Sequence, residues 1–182
     1  MNGSLPAFVA IRDVGPRDGL QGERPVEPAE RAQFALDLFA AGLADVEVAS
    51  FVSPRAVPAM AGGADVVAAV RDVLAARRGT SPTVWTLVPN VKGAELATTA
   101  GVDHLTITVS ASPGYSAKNV HMTVDEAQAQ AEEIRAAAPD AVLDEVISCA
   151  FGSPFADESI TPEAVAGLID RARAAGIDRV TL

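Results

Sequence analysis

An arginine and an aspartate stand side by side in the segment Val14-Gly15-Pro16-Arg17-Asp18-Gly19-Leu20-Gln21. The pair suits two kinds of chemistry. A guanidinium is a permanent cation that can hold a developing oxyanion, and a carboxylate is a hard ligand for a divalent ion. Gly15, Pro16 and Gly19 confine the backbone around it to a tight path. Arg17-Asp18-Gly19 alone suits a solvated surface turn equally well, so its surroundings must decide. Glu47 lies between Val46 and Val48 in a run that reads as a buried strand. An unpaired carboxylate there costs several kcal/mol, and Arg17 is the partner the pattern offers. Asp13 has the same character. A purely structural ion pair is the alternative reading of Glu47.

The elements that must position these residues alternate regularly. Strands are expected at Phe8–Val14, Asp45–Ala49, Val84–Val88, His104–Val109, Val142–Ser148 and from about Arg179 onward. Helices are expected at Pro28–Ala41, Ala64–Arg77, Ala94–Ala100, Val124–Ala138 and Pro162–Ala175. Pro28 and Pro162 fit a first helical turn, Thr161 an N-cap, and Asp125 and Glu126 the positive end of a helix dipole. Phe34, Leu38 and Ala41 share one face of the first helix, with Ala35 and Leu36 nearby. Gly42, Gly101 and Gly176 suit left-handed caps. Three phrases repeat helix end, glycine, apolar residue and strand: A-A-G-L-A-D-V-E-V, T-A-G-V-D-H-L-T-I and A-A-G-I-D-R-V-T-L. That alternation implies a parallel sheet with crossover helices in a single domain over 1–182. The pattern alone leaves open a doubly wound sheet or part of a barrel.

Composition narrows the classes. Of the 182 residues 49% are apolar, which excludes a disordered tail. The net charge of −10 argues against nucleic acid as a partner. No run is long enough to span a membrane, and Met1–Ala7 does not read as a signal peptide, so a cytoplasmic protein is expected. One cysteine, Cys149, excludes an internal disulfide and reads as a small buried hydrophobe. His104, at the start of its strand, faces away from the site, and His121 reads as a polar loop residue. The only two lysines, Lys92 and Lys118, fall in expected loops after the third and fourth strands. Chemistry gathers at that end of parallel strands.

V-G-P-R-D-G-L-Q, followed by S-F-V-S-P-R-A-V-P-A-M (Ser50–Met60), resembles the hydroxymethylglutaryl-CoA lyase family. Further matches are L-V-P-N-V-K-G (Leu87–Gly93), S-A-K-N (Ser116–Asn119) and S-C-A-F-G-S-P-F (Ser148–Phe155), so the resemblance runs from Phe8 to Leu182. It implies an α/β fold, a (β/α)8 TIM barrel, here incomplete: the first five βα units plus a sixth strand. It implies a metal-assisted retro-Claisen cleavage of 3-hydroxy-3-methylglutaryl-CoA to acetoacetate and acetyl-CoA. Asp18 would be a ligand for Mg2+ or Mn2+, and Arg17 would contact the thioester carbonyl and stabilise the enolate. Glu47 and Asp13 would complete the catalytic cluster, although relatives carry Glu at the position of Asp13. Gln21, Ser50, Lys92, Lys118 and Asn119 would contact an acyl-CoA substrate, the lysines meeting its phosphates or pantetheine. Relatives often carry a second cysteine where Ser153 stands.

In this family a G-D-T element, an H-x-H strand, an asparagine ligand and a cysteine loop lie further on; none falls within these residues. The chain by itself is therefore expected to be inactive, with open sheet edges that favour self-association or a homo-oligomer. A non-catalytic half-barrel needing a partner chain is one alternative function. Another acyl-CoA lyase or Claisen synthase on the same scaffold is a second.

Overall fold

Local rules fix where the helices begin and end. A computed structural model describes residues 7–76 and 82–182. Helix α1 (Pro28–Ala40) and helix α6 (Pro162–Ala174) both open on proline, and the Thr161 hydroxyl caps α6 by accepting from the Ala164 N–H. Helix α5 (Val124–Ala137) starts in a capping box, Thr123 and Glu126 each accepting from the other's backbone N–H. Asn90 caps helix α3 (Val91–Thr99), which begins earlier than its apolar pattern suggests. Helix α2 spans Gly63–Ala75; its expected last residue, Arg77, lies outside the described residues. Gly42, Gly101 and Gly176 adopt φ of 103°, 84° and 78°, the left-handed caps expected of them.

One helix is not legible as a period. Helix α4 (Pro113–Val120) carries proline, glycine, serine and asparagine, residues that read as a loop. Ser112 caps it through the Tyr115 N–H, and His121 ends it at φ 57°. Lys118 and Asn119 therefore ride on a helix, as does Lys92 in the first turn of α3, and not on loops.

The strands are β1 (Arg12–Asp13), β2 (Asp45–Ser50), β3 (Thr83–Leu87), β4 (His104–Ser110), β5 (Val142–Ser148) and β6 (Arg179–Thr181). All pair in parallel in the order β1-β2-β3-β4-β5-β6. A doubly wound sheet reverses its order at a switch point; a strictly sequential order is that of a barrel wall. The six strands form an open half-barrel. Strand β1 is shorter than expected, because only Arg12 and Asp13 find partners on β2, while Phe8, Val9 and Ile11 stay largely exposed.

The outer face of the wall packs on the helices through Val46, Val48, Leu105, Ile107, Leu143 and Ile147 against Leu36, Phe39, Val67, Val70, Ile134 and Leu168. Truncating one such leucine or isoleucine to alanine costs about 2–5 kcal/mol. On α1 the buried stripe is Ala32, Ala35, Leu36 and Phe39, so the face expected from Phe34, Leu38 and Ala41 is turned. Phe34 instead lies over the Arg17 turn, where its ring would meet a Cβ at Gly15. The inner face is polar. Arg12 reaches across to Asp144 of β5 at 2.7 Å and lies over the Trp85 ring. Trp85 donates to Asp45, and Thr181 to Asp144. His104 sets its ring against Trp85 at the N-terminal end of β4, away from Arg17. Among the described residues no helix is long and apolar enough to cross a membrane.

Between wall and helices one pair is polar. Gln128 of α5 donates to Glu145 of β5 at 3.0 Å, both are fully buried, and each has an Oε1 without a partner among the described residues. Burial pushes the Glu145 carboxyl up to about 7, against the Gln128 amide and Arg171, which pull it down. A proton on Glu145 supplies the donor that the pair lacks. From the ordinary value of 4.5 up to about 7 the folded chain holds a proton that the unfolded chain has lost. Stability should therefore fall as pH rises through that window, by on the order of 3 kcal/mol in all, and level off above it. Urea midpoints across this range should show the fall in the natural chain and its loss in Glu145→Gln. Equal slopes in the two proteins would contradict it.

Candidate active site

The Arg17 segment takes its shape from backbone bonds. The Val14 carbonyl accepts from the N–H groups of Arg17 at 3.1 Å, Asp18 at 2.7 Å and Gly19 at 3.5 Å, so Gly15–Gly19 form one wide π-helical turn. Asp13 accepts from the Gly15 N–H at 2.8 Å and fixes the entry to the turn. A side chain at Gly15 would meet that carboxylate at 2.9 Å. Asp13 thus holds the turn's backbone, half-buried, and makes no bond to Arg17.

The turn, which follows the end of β1, presents Arg17 to Glu47 in the middle of β2. Its Nε donates to Glu47 and its Nη1 to Asp18 at 2.6 Å. Glu47 is fully buried, Arg17 is 13% exposed, and Asp18 is 59% exposed. The guanidinium is thus gripped from below by a dry carboxylate and from the solvent side by a wet one. Its geometry is fixed before any ligand arrives, which is the condition for holding an oxyanion efficiently. Glu47 Oε2 and the buried Ser50 hydroxyl lack partners among the described residues. A buried polar atom left so is unusual enough to point to a missing one.

The other expected residues share this end of the sheet without touching Arg17. Ser50 ends β2, and Gln21 follows the turn, exposed. Lys92 is 73% exposed and pairs with Glu95 at 3.3 Å; Lys118 and Asn119 are exposed at the last turn of α4. Cys149 departs from the buried hydrophobe expected: it is half-buried at the end of β5 in the left-handed region, φ 61°. His121 is the exposed cap of α4.

The composition of the cluster limits what metal it can hold. Asp18 offers a hard oxygen donor of the kind that Mg2+ or Mn2+ takes, but its carboxylate is engaged by Arg17. Among the described residues no three His, Cys, Asp or Glu side chains gather to hold an ion. A site with six or more oxygens needs more than this one carboxylate, so these residues do not by themselves make one.

Two features escaped the sequence reading. Arg31, buried in α1 with no carboxylate partner among the described residues, donates to the Ala61 carbonyl and so holds the loop after β2. Glu158 gathers Ser112, Ser153 and the Gly114 N–H at the same end of the sheet. Neither has a local signal, since each partner is thirty or more residues away, except Ser153.

Residues 8–182 match the family described as HMGL-like. A 3-hydroxy-3-isohexenylglutaryl-CoA/hydroxy-methylglutaryl-CoA lyase of Pseudomonas aeruginosa is 38% identical over 98% of this chain and 58% of its own length. The crystal structure of hydroxymethylglutaryl-CoA lyase from that organism superposes with a TM-score of 0.87 at 35% identity, over 96% of this chain and 57% of that one. An HMG-CoA lyase from Acinetobacter baumannii in complex with coenzyme A and 3-methylmalate gives 0.83 at 28% identity, over 95% and 55%. The chain therefore spans a little over half the length of these proteins.

The buried ion pair sets an asymmetry. Arg17→Gln strands Glu47 without its cation and should destabilise the chain by about 3–5 kcal/mol. Arg17→Gln with Glu47→Gln should recover a large part of that loss. A denaturant double-mutant cycle reads both, and additive losses would show that the two groups do not interact.

Proposed function

The chain belongs to the HMGL-like family, and on that footing we propose that it forms the Arg17 half of a carbon–carbon lyase acting on 3-hydroxy-3-methylglutaryl-CoA. The observation that carries this reading is the guanidinium clamped between buried Glu47 and exposed Asp18 at the strand ends. In a retro-Claisen cleavage the substrate's tertiary hydroxyl loses its proton and becomes the ketone of acetoacetate. The electrons of the broken carbon–carbon bond pass into the thioester, giving the enolate of acetyl-CoA, which is then protonated. The negative charge that appears on the thioester oxygen needs a fixed cation, and Arg17 supplies it.

Glu47 acts from beneath, holding Arg17 in place. Asp13 acts through the Gly15 amide, setting the turn that delivers it. Ser50 and Gln21, at the same end of the sheet, are proposed to meet the acyl group. Lys92, Lys118 and Asn119 line the outer rim and are proposed to meet the phosphates or pantetheine of CoA, which an otherwise acidic protein repels. Asp18 is proposed as this chain's contribution to a Mg2+ or Mn2+ site. A longer acyl chain is a second reading, favoured by the isohexenylglutaryl substrate in the name of the P. aeruginosa relative.

A chimera joining residues 1–182 to the remaining strands of the P. aeruginosa lyase tests the reading. It should release acetoacetate from 3-hydroxy-3-methylglutaryl-CoA, and Arg17→Gln should lower kcat by about a hundredfold or more. A panel that includes the isohexenyl thioester separates the two substrates. No cleavage of either, by a folded chimera, would reject the assignment. In the same chimera Lys92→Ala with Lys118→Ala should weaken CoA binding by on the order of tenfold, with the loss shrinking at high salt. Unchanged affinity would remove the lysines from the site.

A further inference from the structure

We propose that Glu158 is a positioning residue: it latches the connection between β5 and α6 onto the first turn of α4 and so sets how α4 presents Lys118 and Asn119. The latch rests on the reading of α4 as part of the CoA-binding rim.

Glu158 Oε1 accepts from the Gly114 N–H at 2.6 Å. Its Oε2 accepts from the Ser153 hydroxyl at 2.7 Å and from the Ser112 hydroxyl. Each serine has one hydroxyl proton, and both are spent on this carboxylate. The oxygens then remain free to accept: Ser112 from the Tyr115 N–H at 3.0 Å, Ser153 from the Phe155 N–H at 3.1 Å. Glu158 is thus the hub of a closed network that ties two loops, more than forty residues apart, to one helix end.

Three further observations fit a built contact. Ser112 is fully buried. At Gly114 a Cβ would lie 2.6 Å from Glu158 Oε1 and 3.0 Å from the Phe155 ring, so a side chain there would push the carboxylate out of this position. The Ser112 and Ser153 hydroxyls hold the Glu158 carboxyl below the usual carboxylate range. The carboxylate also complements the positive end of the α4 dipole. An anionic ligand is thereby turned away from that end and left with Lys118, at the other.

The test uses the full chain, with coenzyme A itself as the probe. Glu158→Gln keeps the shape and one acceptor but cannot serve all three donors. In amide NMR spectra the Gly114 proton should sit downfield in the natural chain, move upfield in Glu158→Gln, and exchange with solvent at least about tenfold faster. Gly114→Ala, which blocks the contact from the helix side, should give the same faster exchange at Tyr115. Coenzyme A affinity should fall by on the order of tenfold in Glu158→Gln, and adding Lys118→Ala should cost less than Lys118→Ala alone. Unchanged Gly114 exchange in Glu158→Gln overturns the latch. Faster exchange with CoA affinity kept, while Lys118→Ala lowers it, overturns the positioning role. If Lys118→Ala leaves affinity unchanged, it is the CoA reading of α4 that fails, and positioning of a binding rim fails with it.

Discussion

A carboxylate with no access to water needs a cation, and Glu47 has one only because the chain turns back after β1. Ionised and unpaired inside a parallel wall it would cost more than most single interactions in a domain contribute. The wide turn at Gly15–Gly19 answers this constraint. It gathers three N–H groups on the Val14 carbonyl, uses Asp13 to fix the entry, and lays the Arg17 guanidinium on Glu47. Asp18 follows automatically into the solvent-facing position. The pair that looks like a motif in sequence is thus the visible end of a buried charge balance.

The rest of the wall is arranged to keep that balance at one end. Sequential parallel order puts every strand's C-terminal end on the same side, so Arg17, Ser50, α3, α4 and the Glu158 network share a rim. Beside Glu47, whose ladder partner is Trp85, the inner face is filled by Trp85, Arg12, Asp144, Asp45 and His104. Here Arg12 and Asp144 span from the first strand to the fifth, and their attraction across the interior favours a curved wall over a flat one. The inner face is polar and the outer face apolar, except where Glu145 meets Gln128. A buried acid that keeps its proton satisfies an amide at low cost, which a carboxylate in the same place would not.

The cations at this end of the sheet behave differently because their surroundings differ. Arg17 is held by two carboxylates and is rigid; Lys92 and Lys118 stand in water on helix surfaces. A fixed cation suits a charge that appears at one atom during a reaction. Mobile, solvated cations suit a flexible polyanion such as the CoA phosphates.

By itself the sequence determined the alternation of elements, most helix boundaries, and the residues of the central ion pair. Those depend on local rules: proline and hydroxyl caps, glycine after helices, and the cost of a carboxylate between two valines. It misjudged the length of β1, the buried stripe of α1 and the existence of α4, because ladder partners and packing override propensity and a short helix built from turn residues leaves no period. The strand pattern left open sheet and barrel wall undecided and the motif resemblance implied the barrel; the tertiary structure showed it in the strand order, a relation between distant segments. It alone joined Arg12 to Asp144, Gln128 to Glu145 and Glu158 to Ser112, pairs separated by 132, 17 and 46 residues. Such contacts form where the fold brings buried polar groups together, and nothing in the neighbouring residues announces them.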